Sequence, residues 1–368
     1  MIGRVFALRR PNPYPGDVSL LMSWDVPPFP GSLSPEDWLL SRFRKLVPRW
    51  SLEALPGNSD LAAWRGALTA DLRAALGLAA EPEGPPEVRL LDRRQERGYT
   101  VERLLYEAEP GVTVPALLLL PHTLELPQPA VILCPGAEGK NAALTTPFGS
   151  GPDDPDRSLA RRLLDEDLIV AVPDALCAGE RAAPEWPQIA AGGWLGEPLL
   201  GRGVRETLRL VDYLVERQEI DAARLGLAGF GAGGATALHA MALDRRLRVG
   251  VVGGMLAGNA DRVLALAGES WRGLPECLHL MAPGLAALAD VPDIAGLCAP
   301  QPLRMLHTLD DPGCPIDAAR DCARRIRDGY GRLMGSGMFD TDFLPALGTR
   351  SHESAREFLL RHLRAQYV

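Results

Sequence analysis

Residues 224–241, RLGLAGFGAGGATALHAM, carry the most informative spacing in the chain. A short apolar run ends in clustered glycines and passes into an alanine-rich segment, which predicts a strand, a tight turn and a helix. A strand-to-helix turn of the form G-x-S-x-G holds a serine on a strained backbone and lifts its hydroxyl out as a nucleophile. Gly229, Gly233 and Gly234 are the small residues that let such a strand and helix approach closely. The central position, however, is Gly231. Glycine adopts positive φ without steric cost, so the turn is relaxed and the nucleophile is missing. The same residues, G-F-G-A-G-G, also satisfy G-x-G-x-x-G. A dinucleotide site would open its domain with that motif and place an acid about 20 residues on, at the end of the next strand. Here the next strand, RVGVVGG, ends in glycines, deep in the chain. A structural tight turn without chemistry is the plainest alternative.

Two later segments supply the other groups. Residues 302–315, PLRMLHTLDDPGCP, read as a strand followed by an acidic turn, and His352 lies in GTRSHESAREFL, read as a loop entering the last helix. A nucleophile turn, then an acid, then a histidine is an order that suits general-base catalysis, with the acid fixing the imidazole tautomer. Each residue also has a plain reading. Asp is a favoured turn former, so Asp311 could simply shape its D-P-G turn, and His352 alone would be a helix-start histidine. His239 reads as a packed or partly exposed helix residue, and His279 and His307 receive no role. Cys134 and Cys177 lie near the same face but not at the turn's centre, and read as small hydrophobes rather than substitute nucleophiles. No His, Asp or Glu set has metal-ligand spacing, so neither metal nor cofactor is expected.

Elements that could position these groups follow from periodicity. Residues 1–34 are rich in Pro, Gly and aromatics and read as irregular. Ser34-Pro35-Glu36-Asp37 reads as a helix start, and 35–46 and 59–78 as helices, the second with Leu61, Trp64, Leu68, Leu72 and Leu76 on one stripe. Residues 80–88 form a Pro-rich linker. Residues 99–107 and 113–120 then read as a hairpin about Glu109-Pro110-Gly111. Strands at 130–134, 168–173, 225–228, 249–253 and 303–308 alternate with helices near 156–166, 202–217, 232–243, 316–328 and 352–366. Such alternation predicts an α/β fold with a mostly parallel sheet covered on both faces, whose ligands bind at the carboxyl ends of the strands. The charged stripe Arg205, Glu206, Arg209, Asp212 and Glu216 reads as a solvated or salt-bridged helix face.

Composition narrows the function classes. The chain has 368 residues and a net charge of −8, with no basic run, which argues against nucleic acid or an anionic membrane as partner. Six cysteines without C-x-x-C spacing, no apolar run long enough to span a bilayer and no secretory leader set the expectation of a reducing cytoplasm.

The ordered set of segments resembles the α/β-hydrolase superfamily, in its dienelactone hydrolase and acetyl xylan esterase branch. The resemblance is carried by VPALLLLP ending at Pro121, VILCPGAEGK (131–140), VPDALCAGER (172–181), residues 205–234, DVPDIAGLCAPQPL (290–303), the turn from Asp311 to Pro315, and GTRSH (348–352). It implies an α/β-hydrolase domain over 99–368, with about eight strands, behind an N-terminal extension over 1–98 that is irregular and then helical. It implies His352 as base, Asp311 as acid with Asp310 as the neighbouring alternative, and an oxyanion hole from the backbone N–H groups of Ala232 and Ala137. Gly231 occupies the serine position. Asp174, Glu180 and Arg181 fall in a turn where they pin a loop through ion pairs. The chain departs from the family pattern at Pro135-Gly136, where His-Gly is common, and at Glu138, whose carboxylate stands near the developing negative charge. Three readings follow. A His–Asp pair acts without serine on a small carbonyl or ester metabolite, by activated water or by lyase, isomerase or cyclase chemistry. The protein is a catalytically inactive pseudo-hydrolase used for binding or assembly. Or Gly231 is an engineered replacement in an ordinary esterase. A small-molecule ligand is the expected partner, and residues 1–34 are a candidate dimer arm for a homo-oligomer.

Overall fold

The computed structural model describes residues 35–57, 59–78, 84–122, 127–136, 158–267, 280–311, 313–346 and 349–364. The sequence readings for 1–34, Ala137, Glu138, Cys277 and His279 fall outside these residues. The chain forms two compact units, Met1–Ser41 and Arg42–Val368. In the first, within helix α1 (Pro35–Arg44), the Ser41 hydroxyl donates to the Trp38 carbonyl at 2.7 Å.

The described residues of the second unit form nine strands: β1 (Val88–Glu96), β2 (Tyr99–Glu109), β3 (Val112–Pro121), β4 (Gln128–Cys134), β5 (Ile169–Pro173), β6 (Ile220–Phe230), β7 (Leu247–Gly253), β8 (Leu303–Thr308) and β9 (Phe339–Leu344). They lie in the order β1-β2-β3-β5-β4-β6-β7-β8-β9. The first three pair antiparallel and β3 meets β5 antiparallel, whereas β5, β4, β6, β7, β8 and β9 run parallel. The seven strands read from apolar runs are all present. The two beyond them are the sheet edges. β1, VRLLDRRQE, is mostly exposed, and β9, FDTDFL, carries two acids. An edge strand solvated on one side needs no continuous apolar run, so neither stands out by hydrophobicity.

Helices cover both faces. On one lie α2 (Leu61–Ala75), α5 (Leu199–Leu214), α6 (Ala232–Leu243), α9 (Val291–Cys298) and α10 (Ile316–Arg332); on the other lie α3 (Leu159–Leu164) and α11 (Thr349–Arg364). The intervening α4 (Glu185–Leu195), α7 (Asn259–Ala267) and α8 (Leu285–Leu288) connect strands. Alternation along β4 divides the two cores: Ala130, Ile132 and Cys134 face the first and Val131 and Leu133 the second. The apolar stripe of α2 packs into the first core, with Leu68 and Leu72 fully buried and Trp64 nearly so. Asp60 caps this helix by accepting from Ala62 and Ala63 N–H.

Of the two sequence readings of the charged stripe on α5, the salt-bridged one holds, and the solvated one fails at Glu206 and Arg209. Glu206 and Arg209 are buried. Arg209 donates to the Gly84 carbonyl at 2.8 Å and to Asp212, and Arg205 donates to the Gly77 carbonyl at 2.6 Å and to Glu109. The stripe holds the segment after α2 rather than facing water. A cleft of about 280 Å³ beside it, bordered by Arg205, Arg209, Asp212, Asp244 and Arg246, lies where α5 and α6 end. That is the opposite edge of the sheet from Gly231.

His239 is enclosed in α6, with Nδ1 2.8 Å from the Ala235 carbonyl and Nε2 without a hydrogen-bond partner among the described residues. Burial lowers its pKa from 6.5 to about 4. The unfolded chain therefore binds a proton more tightly than the native state between these values, and stability falls as pH drops through this window, by on the order of 3 kcal/mol. Asp293, raised by burial to about 6, acts in the opposite sense as pH rises from 3.8. The difference between wild type and His239→Leu isolates the histidine. Urea melts from pH 7 to 4 are expected to show the variant gaining relative stability as pH falls.

Candidate active site

The six parallel strands end on one edge of the sheet, at Cys134, Pro173, Phe230, Gly253, Thr308 and Leu344. Ligands in open α/β sheets bind at this edge. Gly231 follows Phe230 directly and has φ 55° and ψ −122°, in the left-handed half of backbone space where a side chain is strained. Its N–H donates to the Gly253 carbonyl at 3.1 Å, and its own carbonyl accepts from Ala235 at 3.0 Å to start α6. Apart from Gly231 itself and its two chain neighbours, no described atom lies within 4 Å of the position a β-carbon would take on Gly231.

The neighbouring glycines have no such room. A β-carbon on Gly229 would meet the Gly233 carbonyl oxygen at 2.2 Å, one on Gly233 the Cys134 oxygen at 2.1 Å, and one on Gly234 the Gly253 oxygen at 2.4 Å. These contacts are with backbone, which cannot turn aside as a side chain can. Strand β6, helix α6 and the strand ends on either side are therefore locked around a turn whose centre, among the described residues, is the glycine with room for a side chain. Ala232 opens α6, so its N–H belongs to the first helical turn, where donors have no partner inside the helix. The companion donor expected at Ala137 lies outside the described residues.

His352 is fully buried and lies in the first turn of α11, since that helix begins at Thr349, three residues earlier than the sequence pattern suggests. Its ring stands edge-on to Phe230 with centroids 6.3 Å apart, one residue from the vacant centre of the turn. Asp311 lies beyond β8, at the same edge. Its carboxylate accepts from the Gly313 N–H at 2.9 Å, and its backbone closes the turn through Thr308 and Cys314. Among the described residues no hydrogen bond or ion pair joins Asp311 to His352. The structure thus brings His352 to the glycine turn and places Asp311 at the same edge, held by its own turn. Asp310 precedes it in that turn.

Two residues without a part in the sequence reading stand beside this group. His307, at the end of β8, is fully buried, edge-on to Phe343 at 5.7 Å, and neither ring nitrogen has a hydrogen-bond partner among the described residues. Burial pushes its pKa down while the Asp311 carboxylate pushes it up. Arg262, on α7, is 8% exposed and donates to the Gly254 carbonyl at 3.0 Å. Nothing in the local pattern around either residue, HTLDD or NADRV, marks it; only the sheet order brings them to this edge.

The cysteines are unsuited to nucleophilic work. Cys134 is buried with its thiol pushed up to about 12 by desolvation, and Sγ lies 3.9 Å from the Thr207 hydroxyl. Burial also raises Cys177, which points away from thiolate chemistry. Among the described residues no group of three His, Cys, Asp or Glu is placed to hold a metal.

The loop after β5 is pinned as the sequence suggests. Arg181 makes two 2.7 Å hydrogen bonds to the Glu206 carboxylate, Glu180 pairs with Arg103, and the buried Asp174 accepts from the Glu180 N–H at 3.0 Å. Gly179 is required here, because a β-carbon would lie 2.2 Å from Asp174 Oδ1. Burial raises the Glu206 pKa, and Arg181 opposes that rise. Arg181→Ala strands a buried carboxylate and is expected to destabilise the fold by about 3 kcal/mol, measured by urea melts at pH 8.

Comparison with solved structures shows the same architecture. A candidate acetyl xylan esterase from Bacteroides fragilis superposes with a TM-score of 0.71 at 19% identity, covering 85% of this chain and 83% of its own. The glucuronoyl esterase from Solibacter usitatus superposes at 0.63 with 15% identity, over 87% and 98%. Acetyl xylan esterase 1 from a Thermoanaerobacterium species gives 0.54 at 18% identity, over 89% and 99%. No curated protein sequence matches the chain. A family model described as Abhydrolase matches residues 38–312, a span that takes in the glycine turn and Asp311 and stops before His352. Since that span is well over half of the molecule and the sheet has the α/β-hydrolase form, the chain belongs to the Abhydrolase family.

Proposed function

We propose that this protein acts on a small carbonyl or ester metabolite without a serine nucleophile, His352 serving as the base with Asp311 as its acid partner. The observation that carries the reading is the state of Gly231. The turn keeps the backbone of a nucleophile elbow, with space left open by the described residues at the missing side chain and the His352 ring against the adjoining Phe230. A water molecule in that space is the simplest replacement for the absent hydroxyl. His352 takes a proton from the water as its oxygen adds to the carbonyl carbon. The Ala232 N–H, with the donor assigned to Ala137, stabilises the resulting oxyanion. Collapse of the adduct expels the alcohol oxygen, which recovers the proton from the imidazolium, so ester and water become acid and alcohol. A substrate with an acidic C–H would lose that proton to the same base, which gives lyase or isomerase chemistry. The esterase activities named for the structural neighbours make small acyl esters the first substrates to try.

The test is turnover of short acyl esters and lactones by wild type against a His352→Ala blank. A rate above the blank for any of these is the expected result. Equal background rates across the whole set would overturn the catalytic reading in favour of a binding module on a hydrolase scaffold.

A further inference from the structure

Helix α4 has its two sides reversed. A helix on a protein surface ordinarily turns its apolar stripe inward and its polar residues to water. In α4, EWPQIAAGGWL, the side toward the protein body holds Ile189 and Gly192, both buried. Gln188 also faces the body, its Oε1 accepting from the Arg202 guanidinium at 3.4 Å. At about 100° per residue, Trp194 lies opposite the Ile189–Gly192 side, with Trp186 and Leu195 flanking it on either hand. Trp194 is 94% exposed, Leu195 76% and Trp186 60%. Pro187 and Ala191, both exposed, complete this outward face. Its polar content is the two indole N–H groups.

The face is also held firmly. The loop before α4 is pinned by Arg181 on Glu206. The helix ends at Gly196, φ 73°, where the Glu197 N–H donates to the Gly192 carbonyl at 2.8 Å. Helix α5 then starts with Leu199 and Leu200 buried. The tryptophans thus stand on a fixed frame, which lowers the ordering cost of an association. From Trp186 to Leu195 no residue is charged, in a chain that is 23% Asp, Glu, Lys and Arg. Charge depletion with displayed tryptophan is the make-up of an interface centre. Trp186, Trp194 and Leu195 together leave on the order of 500 Å² of apolar surface in water, a patch that single soluble proteins rarely expose without a use for it.

We infer that this face of α4 docks a second copy of the chain, the two α4 helices crossing at a two-fold axis with Trp194 near its centre. A two-fold contact uses the same patch on both copies and so doubles it. The three large side chains of each copy then bury about 1,000 Å² between them, and Pro187, Ala191 and the helix rim carry the total to about 1,200 Å², where specific dimers begin. A lipid surface fits less well. The chain has a net charge of −8, and no basic residue lies between Arg181 and Arg202 to meet an anionic headgroup. The inference is independent of the chemistry at Gly231.

Sedimentation velocity of the full chain from about 1 to 100 µM tests it. The wild type is expected to pass from one chain to two across that range. Trp194→Lys sets like charges face to face at the axis and is expected to weaken association by about 100-fold or more, leaving a monomer throughout. Leu90→Lys is the control: it replaces an exposed leucine on the edge strand β1, away from α4, and should dimerise as the wild type does. Both substitutions are at exposed positions, so the fold should hold, which urea melts check. A wild type that stays monomeric to the top of the range, or a dimer that survives Trp194→Lys, would overturn the assignment. A monomeric wild type that floats with phosphatidylcholine vesicles, and loses this in Trp194→Lys, would give the face to a lipid surface instead.

Discussion

Replacing Gly231 by Ser is expected to raise hydrolysis of 4-nitrophenyl acetate by at least about 10²-fold over wild type. The backbone that a nucleophilic serine needs is already formed, with φ 55° and ψ −122° at the end of β6. Apart from Gly231 and its chain neighbours, no described atom stands within 4 Å of the added β-carbon, so that carbon displaces none of the described residues. The Ala232 N–H follows the new side chain directly, as the family's oxyanion hole requires. The substitution carries a stability cost, because a β-carbon at positive φ is strained by about 1–3 kcal/mol. Gly231→Ala is the matched control: it bears the same strain without the hydroxyl, and since its methyl enters the space assigned to the attacking water, its turnover should not exceed the wild-type level. Pre-steady-state release of nitrophenol in a burst would identify the acyl-enzyme. A folded Gly231→Ser protein with wild-type turnover would mean that the imidazole and the oxyanion donors do not serve this position. The binding-module reading would then gain.

The second large effect is at His352. In the Gly231→Ser background, His352→Ala is expected to lower turnover by about 10²–10⁴-fold, and in wild type to abolish whatever rate exceeds background. His352 is fully buried beside Phe230, so truncation also leaves a cavity. His352→Gln, close in volume and unable to act as a base at neutral pH, separates loss of chemistry from loss of packing. Asp311→Asn should reproduce much of the loss if Asp311 orients the imidazole, and Asp310→Asn should not. His307 gives a further check. If His307→Ala removed turnover while His352→Ala kept it, the base would be the histidine at the end of β8.

Much of the architecture was legible from local chemistry. Short apolar runs alternating with amphipathic segments mark every parallel strand but β9, because buried strands must be apolar on both faces. The glycine turn was legible for the same kind of reason. Gly229, Gly233 and Gly234 are there because a single extra carbon would strike backbone oxygen, and such a demand leaves its mark in residue type. The loop pin at Asp174, Glu180 and Arg181 was legible as a motif, though its partners, Glu206 and Arg103, lie on other elements.

Other features depend on what the fold brings together. The stripe on α5 has the composition of a solvated helix face, yet Arg209 is buried against the Gly84 carbonyl and Glu206 against Arg181 of the loop after β5. Edge strands β1 and β9 carry too much charge to be recognised before their partners are known. By itself the sequence determined the strand–helix alternation, the glycine turn without its serine, and the order of turn, acid and histidine, since each depends on neighbours a few residues apart. Only the tertiary structure decided that His352 stands at Phe230, that Asp311 is held by its own turn, and that Arg262 lies buried behind Gly231. Those facts depend on the order of the strands across the sheet, which brings residues 30 to 120 positions apart to one edge and leaves no trace in local composition.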